Sequence, residues 1–319
     1  MTKTGVSGAA DVYFILGDPV EQVKAPQTFN AIFAHLGIDA VLVPICVAQS
    51  QLGEFVNAVF KAPNVKGLWV TIPHKAPIAA LLDRCTDLGV LAGAVNAVRR
   101  EPDGTLTGAL FDGEGFVASL EFLGVSWSDR RVLVVGAGGG AAAIGASLAV
   151  ADKAVSQLDF YDPVPGRAAE VARRIQGASR ALVGVADSAV PTGYDLVVHA
   201  SPLGLNAGDA LPLDVARMDD DATLVDILMK NQPTPVVRAA LARGLVAYPG
   251  FEMLIQQIPL YLDFFGLNTA AQWVRDDMHC VRELIYPGEM LGEILPPEVE
   301  GRRVTHAGRL FDQPKETVK

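Results

Sequence analysis

The first part of the chain alternates short apolar runs with segments whose apolar residues recur at helical spacing. The first apolar run, 11–17, is ended by Gly17 and Pro19, as is typical of a buried strand, and Gly37 is placed to end the first helix. The predicted elements are strands over 11–17, 40–47 and 65–73, helices over 25–38, 51–62 and 75–85, and a β-hairpin over 93–111 with Asp103-Gly104 at its tip. This alternation predicts an α/β domain with a largely parallel sheet, which we place at residues 1–118.

A second series of apolar runs and helical segments begins near residue 130. Its runs are short and apolar throughout, which predicts strands covered on both faces of their sheet. The predicted elements are a strand and helix on either side of the glycines at 136–140, strands over 157–162, 195–201, 222–228 and 245–250, and helices over 166–175 and 234–244. We place this second domain at residues 119–252.

The C-terminal part begins with a long apolar helix predicted over 251–266. We expect it to pack back on the first domain and close a cleft, and assign residues 253–285 to helices that return to that domain. Residues 286–319 carry proline and charge without clear periodicity, so they are predicted to form an irregular tail that is partly disordered at its end.

Composition narrows the classes of partner. The chain has 26 Lys and Arg against 36 Asp and Glu, a formal charge of −10, which argues against nucleic acid or an anionic membrane as the main partner. Its three cysteines lie far apart without a CxxC pair, which favours reduced thiols over a metal site or a disulfide. Without a signal-peptide pattern or an apolar run long enough to span a bilayer, we expect a soluble, cytoplasmic protein.

A glycine-rich turn, "VLVVGAGGGAAAIG", follows a predicted strand and precedes an alanine-rich helix. Gly136 and Gly138 allow a tight turn and close approach to a pyrophosphate, whose charge the helix N-terminus favours. The third glycine of the G-x-G-x-x-G pattern is Ala141, which is still small enough for close packing. The alternative is a generic strand–turn–helix unit without a ligand.

Asp162 ends the next predicted strand, where this fingerprint expects an acid that hydrogen-bonds the adenosine 2′-OH. A carboxylate there would repel the 2′-phosphate of NADP, and the next four residues, 163–166, offer no cation. We therefore predict NAD over NADP, with simple capping of the next helix by Asp162 as the alternative.

Lys75 in "TIPHK" and Asp112 in "FDGEGF" are either ordinary loop residues or an acid/base pair. Oxidation of a secondary alcohol requires loss of the hydroxyl proton as hydride leaves carbon. A free lysine, with a pKa of about 10.4, is a poor base at neutral pH. Desolvation and a nearby positive charge would favour the neutral amine, whereas a carboxylate would favour the ammonium while fixing its position.

Seven segments in succession resemble the shikimate/quinate dehydrogenase family, over about residues 11–270. The segment "VTIPHK" is the most specific of them, and "DLVVHASPLGL" resembles the family's Asn-Ala-Thr-Pro-Leu-Gly segment with His199 and Ser201 substituted. The other five segments are "GDPVEQVKAPQTFN", "GAVNAV", "DGTLTGALFDGEGF", "GAGGGAAA" and "GFEMLIQQ".

The resemblance implies an N-terminal α/β substrate domain, a C-terminal Rossmann domain that binds NAD(P), and a cleft between them. It implies that Lys75 and Asp112 are the catalytic pair. The implied substrate-binding positions are Val23, Ala25, Thr71, Asn96 and Gln257. The implied cofactor-binding residues are Gly136, Ala137, Gly138, Gly139, Gly140, Ala141, Asp162, Ser201, Pro202, Leu203, Gly250 and Met253. No metal is implied.

The chain departs from the family at its substrate positions. Val23 and Ala25 stand where the family carries two serines that bind a carboxylate, Trp69 replaces an asparagine, and Leu110 and Phe111 replace an Asn-Thr pair. Each lost hydrogen bond to a carboxylate is worth about 1.5–3 kcal/mol, so losing both serines would weaken binding of such a substrate a hundredfold or more.

Two explanations of these departures are open. Either the substrate is less polar, or another cation binds its carboxylate. Lys24 and His74 are the candidates, against solvent exposure for Lys24 and a loop-holding role for His74.

The leading hypothesis is an NAD-dependent dehydrogenase that acts on shikimate, quinate or a related cyclic hydroxy acid, as a monomer or homodimer. The alternatives are a related dehydrogenase with a changed substrate and a non-catalytic NAD-sensing regulatory protein. Retention of Lys75 and Asp112 argues against the last, because a sensor needs no acid/base pair.

Overall fold

The computed structural model describes residues 6–150, 154–206 and 208–288, which contain two six-stranded sheets. The first sheet is formed by β1 (Asp11–Gly17), β2 (Ala40–Cys46), β3 (Val65–Val70), β4 (Arg84–Cys85), β5 (Ala97–Arg100) and β6 (Leu106–Ala109). The second is formed by β7 (Arg131–Val135), β8 (Gln157–Tyr161), β9 (Leu182–Val185), β10 (Leu196–His199), β11 (Thr223–Asp226) and β12 (Val246–Pro249).

The helices of the described residues are α1 (Ala25–Leu36), α2 (Leu52–Val59), α3 (Lys75–Ala79), α4 (Asp87–Ala92), α5 (Asp112–Phe122), α6 (Gly139–Val150), α7 (Arg167–Gln176), α8 (Pro235–Ala242), α9 (Phe251–Phe264), α10 (Asn268–Asp276) and α11 (His279–Ile285). Short 3-10 turns occupy Gln49–Gln51 and Val215–Arg217.

The first sheet has the strand order β2-β1-β3-β5-β6-β4. The pairs of β1 with β2 and β3, and of β4 with β6, are parallel, whereas β5 is antiparallel to β3 and β6. The predicted hairpin is confirmed, with Gly104 at its tip in the left-handed region at φ 90°. One face of this sheet is covered by α1 and by α9 to α11, and the other by α2 and α3.

The second sheet has the order β12-β11-β10-β7-β8-β9, and all of its pairs are parallel. Strands β8 and β9 lie on one side of β7, and β10 to β12 lie on the other, which is the doubly wound order of dinucleotide-binding folds. Its core strands are mostly apolar because helices cover both faces. The predicted fold class, an α/β substrate domain followed by a Rossmann domain, is confirmed.

Helices α5 and α9 join the two sheets. Helix α5 packs on α6 of the second sheet and on α9, and α9 also packs on the first sheet through Phe251, Ile255 and Ile258. The expected return of the 251–266 helix to the first domain is therefore observed. The predicted domain boundaries, after residues 118 and 252, fall inside these two helices and remain predictions.

Local predictions failed at four places. The helix predicted over 75–85 ends at Ala79, because Arg84–Cys85 pairs with β6 as a short strand. Helices α4 and α5 were not predicted, and neither was strand β9. Of the predicted tail over 286–319, residues 289–319 lie outside the described residues. No helix in the described part of the chain has the length and apolar character needed to cross a membrane.

Candidate active site

Lys75 and Asp112 are brought into direct contact by two helix starts. Lys75 is the first residue of α3, after the turn that follows β3, and Asp112 is the first residue of α5, directly after β6. The Lys75 Nζ donates to Asp112 Oδ2 at 2.5 Å, and the two side chains are 17% and 8% exposed. The partial burial strengthens this charge-assisted hydrogen bond relative to a surface ion pair.

The pair lies beside the glycine-rich turn. A Cβ placed on Gly139, the first residue of α6, would lie 3.7 Å from Lys75 Cβ. On the other side, Gly113 lets α5 approach α6 so closely that a Cβ there would lie 2.1 Å from Ala143 O. The ammonium and the carboxylate therefore sit where elements of the two sheets meet, next to the N-terminus of α6.

Asn96 and Gln257 form a buried amide pair, 0% and 3% exposed. The Asn96 Nδ2 donates to Gln257 Oε1 at 3.2 Å, and Asn96 Oδ1 accepts from Phe111 N at 3.0 Å. Gln257 Nε2 in turn donates to Met253 O at 3.1 Å. These contacts fix both amides beside the residue that precedes Asp112.

Tyr261 closes this cluster from α9. Its hydroxyl donates to Asn96 O at 3.3 Å. Burial, and then the charge of Asp112, hold the pKa of Tyr261 well above its usual value. Tyr261 therefore remains a protonated donor near Asp112.

Thr71 and His74 shape the turn that carries Lys75. Thr71 is half-buried, and its carbonyl accepts from His74 N at 2.9 Å. The His74 side chain is fully buried and its Nε2 lies 2.7 Å from Val47 O. His74 thus holds the loop, and it is removed as a candidate for binding a substrate carboxylate.

Lys24, the other candidate cation, is half-buried and lines a cavity of about 330 Å³. It is the charged residue among the described residues around that cavity, whose other walls are Met229, Asn231, Gln232, Phe251, Leu284, Ile285, Tyr286 and Pro287. The side chains of Asn231 and Gln232 donate to backbone carbonyls of neighbouring loops. Their amide donors are thus already in use, which leaves the Lys24 ammonium as the group there that could bind an anion.

The five apolar replacements differ in their surroundings. Val23 and Ala25 are half-buried and pack against the core beneath the first sheet. Trp69 and Leu110 are 2% exposed, so they contribute to cores rather than to an open surface. Phe111 is 8% exposed and packs edge-on against Tyr261 with ring centroids 5.1 Å apart. The predicted apolar pocket therefore rests on Val23, Ala25 and Phe111.

The glycine-rich turn has the geometry expected of a phosphate-binding loop. Gly136 has φ 119°, and a Cβ there would lie 2.5 Å from Ala200 O, so no other residue fits. Gly138 faces open space, and the hydrogen bond from Ala142 N to Gly138 O closes the first turn of α6. The preceding N–H groups, at Gly139, Gly140 and Ala141, have no partner within the helix and are available to an anion. Ala141 itself is buried, as close packing requires.

Asp162 is half-buried and tied to this turn. Its Oδ2 accepts from Ala137 N at 3.0 Å and its Oδ1 from Val164 N at 2.9 Å. Each carboxylate oxygen retains a lone pair for a ribose hydroxyl. The position fits the predicted dinucleotide, with the carboxylate beside the loop.

The remaining predicted cofactor residues follow the carboxyl ends of β10 and β12. Gly250 permits a close approach to Ile227, whose Cα would lie 2.6 Å from a Cβ at position 250. Met253 is buried, and its role here is packing and the carbonyl contact to Gln257. Pro202 and Leu203 are exposed in the loop after β10.

Two residues at this edge were not assigned any role from the sequence. His199 and Asp226 are fully buried, and the His199 Nε2 lies 2.7 Å from Ser201 Oγ. Both lie inside predicted strands, 195–201 and 222–228, and the parallel pairing of the observed strands β10 and β11 places them opposite each other. In the described residues, no group of three or more His, Cys, Asp or Glu side chains is arranged to hold a metal ion.

Comparison with known proteins gives concordant matches. Residues 15–98 match the family model described as the shikimate dehydrogenase substrate binding domain. The chain is 37% identical over 283 residues to the shikimate dehydrogenase (NADP(+)) of Rubrobacter xylanophilus, covering 87% of this chain and 95% of that protein. The corresponding enzyme of Acidiphilium cryptum is 35% identical over 270 residues, covering 83% and 94%.

Solved structures with a similar fold include two that are 26% identical to the chain. The quinate dehydrogenase of Corynebacterium glutamicum in complex with NAD is 26% identical with a TM-score of 0.72, covering 84% of this chain and 98% of that one. The ligand-free 5-ketofructose reductase of Gluconobacter sp. is also 26% identical with a TM-score of 0.72, covering 85% and 99%.

Proposed function

Because the chain belongs to the shikimate dehydrogenase family, we propose that it is a dehydrogenase that interconverts a secondary hydroxyl and a ketone on shikimate, quinate or a related cyclic hydroxy acid. The observation that carries the proposal is the Lys75–Asp112 contact of 2.5 Å beside the first residue of α6. A partly buried acid/base pair next to a dinucleotide-type loop is suited to proton transfer coupled to hydride transfer.

In this proposal a dinucleotide held at the glycine-rich turn would supply the hydride acceptor or donor. Lys75 exchanges the proton: in oxidation its neutral amine takes up the hydroxyl proton as the carbonyl forms, and in reduction its ammonium returns a proton to the oxygen. Asp112 holds the ammonium in place through the hydrogen bond to Oδ2. Asn96 and Gln257, fixed by their mutual hydrogen bond, orient the other polar groups of the substrate.

The finer part of the proposal is a preference for NAD. The supporting observation is the Asp162 carboxylate, which two backbone N–H groups anchor beside the glycine-rich turn. A 2′-phosphate brought there would meet a fixed negative charge. The relatives from Rubrobacter xylanophilus and Acidiphilium cryptum are named shikimate dehydrogenase (NADP(+)), so a preference for NAD would distinguish this chain from them.

The test of this preference is the ratio of kcat/KM with NAD to that with NADP. We expect the ratio to favour NAD in the unaltered chain and to fall about tenfold or more in Asp162→Ala. Asp187→Ala, which alters an acid outside this loop, is the matched control. A ratio that Asp162→Ala leaves unchanged would remove the carboxylate from cofactor choice.

A second candidate substrate is a polyol or ketosugar without a carboxylate. Val23 and Ala25 offer no hydrogen bond where the family has serines, and both pack against apolar neighbours. The similarity to a protein named 5-ketofructose reductase points the same way. Lys24, beside Val23 and on the wall of the neighbouring cavity, is the group that would instead favour a carboxylate.

The experiment is a panel of substrates, with shikimate and quinate in the oxidative direction and 5-ketofructose in the reductive one. Lys75→Met should lower kcat by about 10²–10⁴-fold for whichever substrate is active, while NADH binding is retained. Turnover of shikimate or quinate that Lys24→Met selectively weakens supports the carboxylate substrate. Turnover of 5-ketofructose alone supports the second candidate, and NADH binding without turnover of any compound would favour a regulatory protein.

A further inference from the structure

A buried chain of side chains runs from the core of the second sheet to the wall of the cofactor crevice. His199 and Asp226 are the last residues of β10 and β11 and lie directly opposite each other in register. Both side chains are 0% exposed. The Nδ1 of His199 lies 3.1 Å from Asp226 Oδ1, and its Nε2 lies 2.7 Å from Ser201 Oγ.

The Asp226 carboxylate is held as an acceptor. Its Oδ1 accepts from Leu228 N at 3.0 Å, and its Oδ2 accepts the hydroxyl of Thr234 through a short hydrogen bond. Among the described residues no lysine or arginine forms an ion pair with it. A buried carboxylate needs donors on its oxygens, and within the described part of the chain the imidazole of His199 is the ionisable group that lies at ion-pair distance from it.

This arrangement selects one form of the imidazole. The contact at Nδ1 is an ion-pair distance rather than an aligned hydrogen bond, but a lone pair on Nδ1 would still face the carboxylate and repel it. In a neutral ring the proton is therefore on Nδ1 and the lone pair on Nε2. The Ser201 hydroxyl then donates its hydrogen to Nε2.

Ser201 consequently faces its surroundings as an acceptor. Its hydrogen is engaged by His199, and one lone pair accepts from Leu203 N at 3.3 Å. The second lone pair is free for a donor from outside the loop. The Ser201 side chain is half-buried rather than enclosed.

The free lone pair lies at the crevice between β7 and β10. These two strands are neighbours, with His199 opposite Val135, and the chain leaves them in opposite directions along the sheet. A Cβ on Gly136 would lie 2.9 Å from Ser201 N, so the serine adjoins the glycine-rich turn. In doubly wound sheets this switch point is where a dinucleotide binds.

We infer that His199 and Asp226 are positioning residues that fix Ser201 as a hydrogen-bond acceptor for a donor group on the nicotinamide half of the dinucleotide. Ribose hydroxyls and the carboxamide N–H₂ are the donors on that half, whereas phosphate oxygens only accept. This inference rests on the proposed function, since it requires a bound dinucleotide. It adds two buried residues to the groups that determine how the cofactor is oriented.

The test is NADH binding, measured by fluorescence titration without any hydroxy acid. Ser201→Ala and His199→Gln should each weaken NADH binding about three- to tenfold, as expected for one lost hydrogen bond. Because His199 acts through Ser201, the double variant should bind no more weakly than Ser201→Ala alone. ADP, which lacks the nicotinamide half, should bind all of these variants as it binds the unaltered chain.

Matched controls separate this role from damage to the fold. His279→Gln alters a partly exposed histidine that pairs with Glu283 on α11, and NADH affinity should not change. Nitrogen-15 NMR of the unaltered chain gives a measurement that is independent of NADH affinity: the His199 ring, identified by its loss in His199→Gln, should carry its proton on Nδ1.

The outcomes distinguish the inference from the proposed function. A proton on Nε2 of His199, additive effects in the double variant, or equal weakening of NADH and ADP binding would overturn the histidine relay, by which we mean the positioning of Ser201 by His199 and Asp226. The dehydrogenase proposal would remain intact. An unaltered chain that binds none of NADH, NADPH and ADP would overturn both.

Discussion

Gly113 controls how closely the helix that carries Asp112 approaches the second sheet. It is the second residue of α5, and a Cβ added there would lie 2.1 Å from Ala143 O and 2.3 Å from Ser147 Oγ, both on α6. Ordinary contact begins at 3.4 Å, so the Gly113→Ala variant needs the helices to separate by about 3.4 − 2.1 = 1.3 Å. A backbone carbonyl cannot rotate away as a flexible side chain would.

The separation falls on the neighbouring residue. Asp112 moves with the first turn of α5, and a shift of about 1 Å takes its Oδ2 beyond the short contact of 2.5 Å with Lys75 Nζ. Misplacement by about 1 Å lowers a rate by about a hundredfold. Overpacking costs about 1–3 kcal/mol, and alanine returns about 1 kcal/mol of helix propensity. The net loss of about 0–2 kcal/mol leaves the protein folded, since domains typically have 5–15 kcal/mol.

The assay is kcat/KM on the active substrate alongside urea unfolding. Gly53→Ala is the matched control, because Gly53 lies in α2 and the nearest atom to a Cβ there is 3.9 Å away, on Leu81. It should gain up to about 1 kcal/mol in unfolding free energy and keep its activity. Full activity in Gly113→Ala together with a clear loss of stability would refute the reasoning, because the α5–α6 spacing would then not set the position of Asp112.

Two further predictions concern buried groups away from this contact. Arg282→Met should lower the free energy of unfolding by about 3–5 kcal/mol, because it leaves the Glu252 carboxylate, 1% exposed, without its bidentate partner. The control Arg84→Met removes an exposed ion pair and should lower it by less than about 1 kcal/mol. Equal losses for the two variants in urea unfolding would contradict this prediction. Burial, and then the charge of Asp277, raise the pKa of Cys280 to about 11, so about a thousandth of that thiol is ionised at pH 8. Ellman's reagent should therefore modify the exposed Cys46 first, and Cys46→Ser should abolish this fast phase of the reaction. Fast modification of Cys280 in the folded protein would contradict the prediction.

The strand–helix alternation was predictable where burial leaves a simple pattern. The strands of the second sheet are mostly apolar because both faces are covered, and the Asp103-Gly104 tip identifies the hairpin by turn chemistry alone. Helix α5 was missed for the opposite reason. It is packed between α6 and α9 and therefore shows no single apolar stripe, and Gly113 and Gly115 count against a helix in any local reading.

The candidate site was predictable only as far as residue types and family motifs carry. "TIPHK" and "FDGEGF" indicated Lys75 and Asp112, but their contact depends on two helix starts that face each other in space. His199 had been noted only as a substitution, because its link to Asp226 exists through strand pairing rather than through sequence spacing. The position of Lys24 on a cavity wall likewise depends on α11, which supplies Leu284 and Ile285 to the same wall.

The positions of the acid/base pair and of the histidine relay are coupled through α6. Lys75 lies beside its first residue, Gly139, and Asp112 is on the helix that packs against Ala143. The relay ends at Ser201, beside the turn that leads into the same helix. A dinucleotide held by that N-terminus would therefore be positioned against the proton-exchanging pair and the serine by one rigid element. It follows that variants at Gly113 should lower kcat with little effect on NADH affinity, whereas variants at His199 should do the reverse, and a common effect of both on NADH affinity would contradict this division.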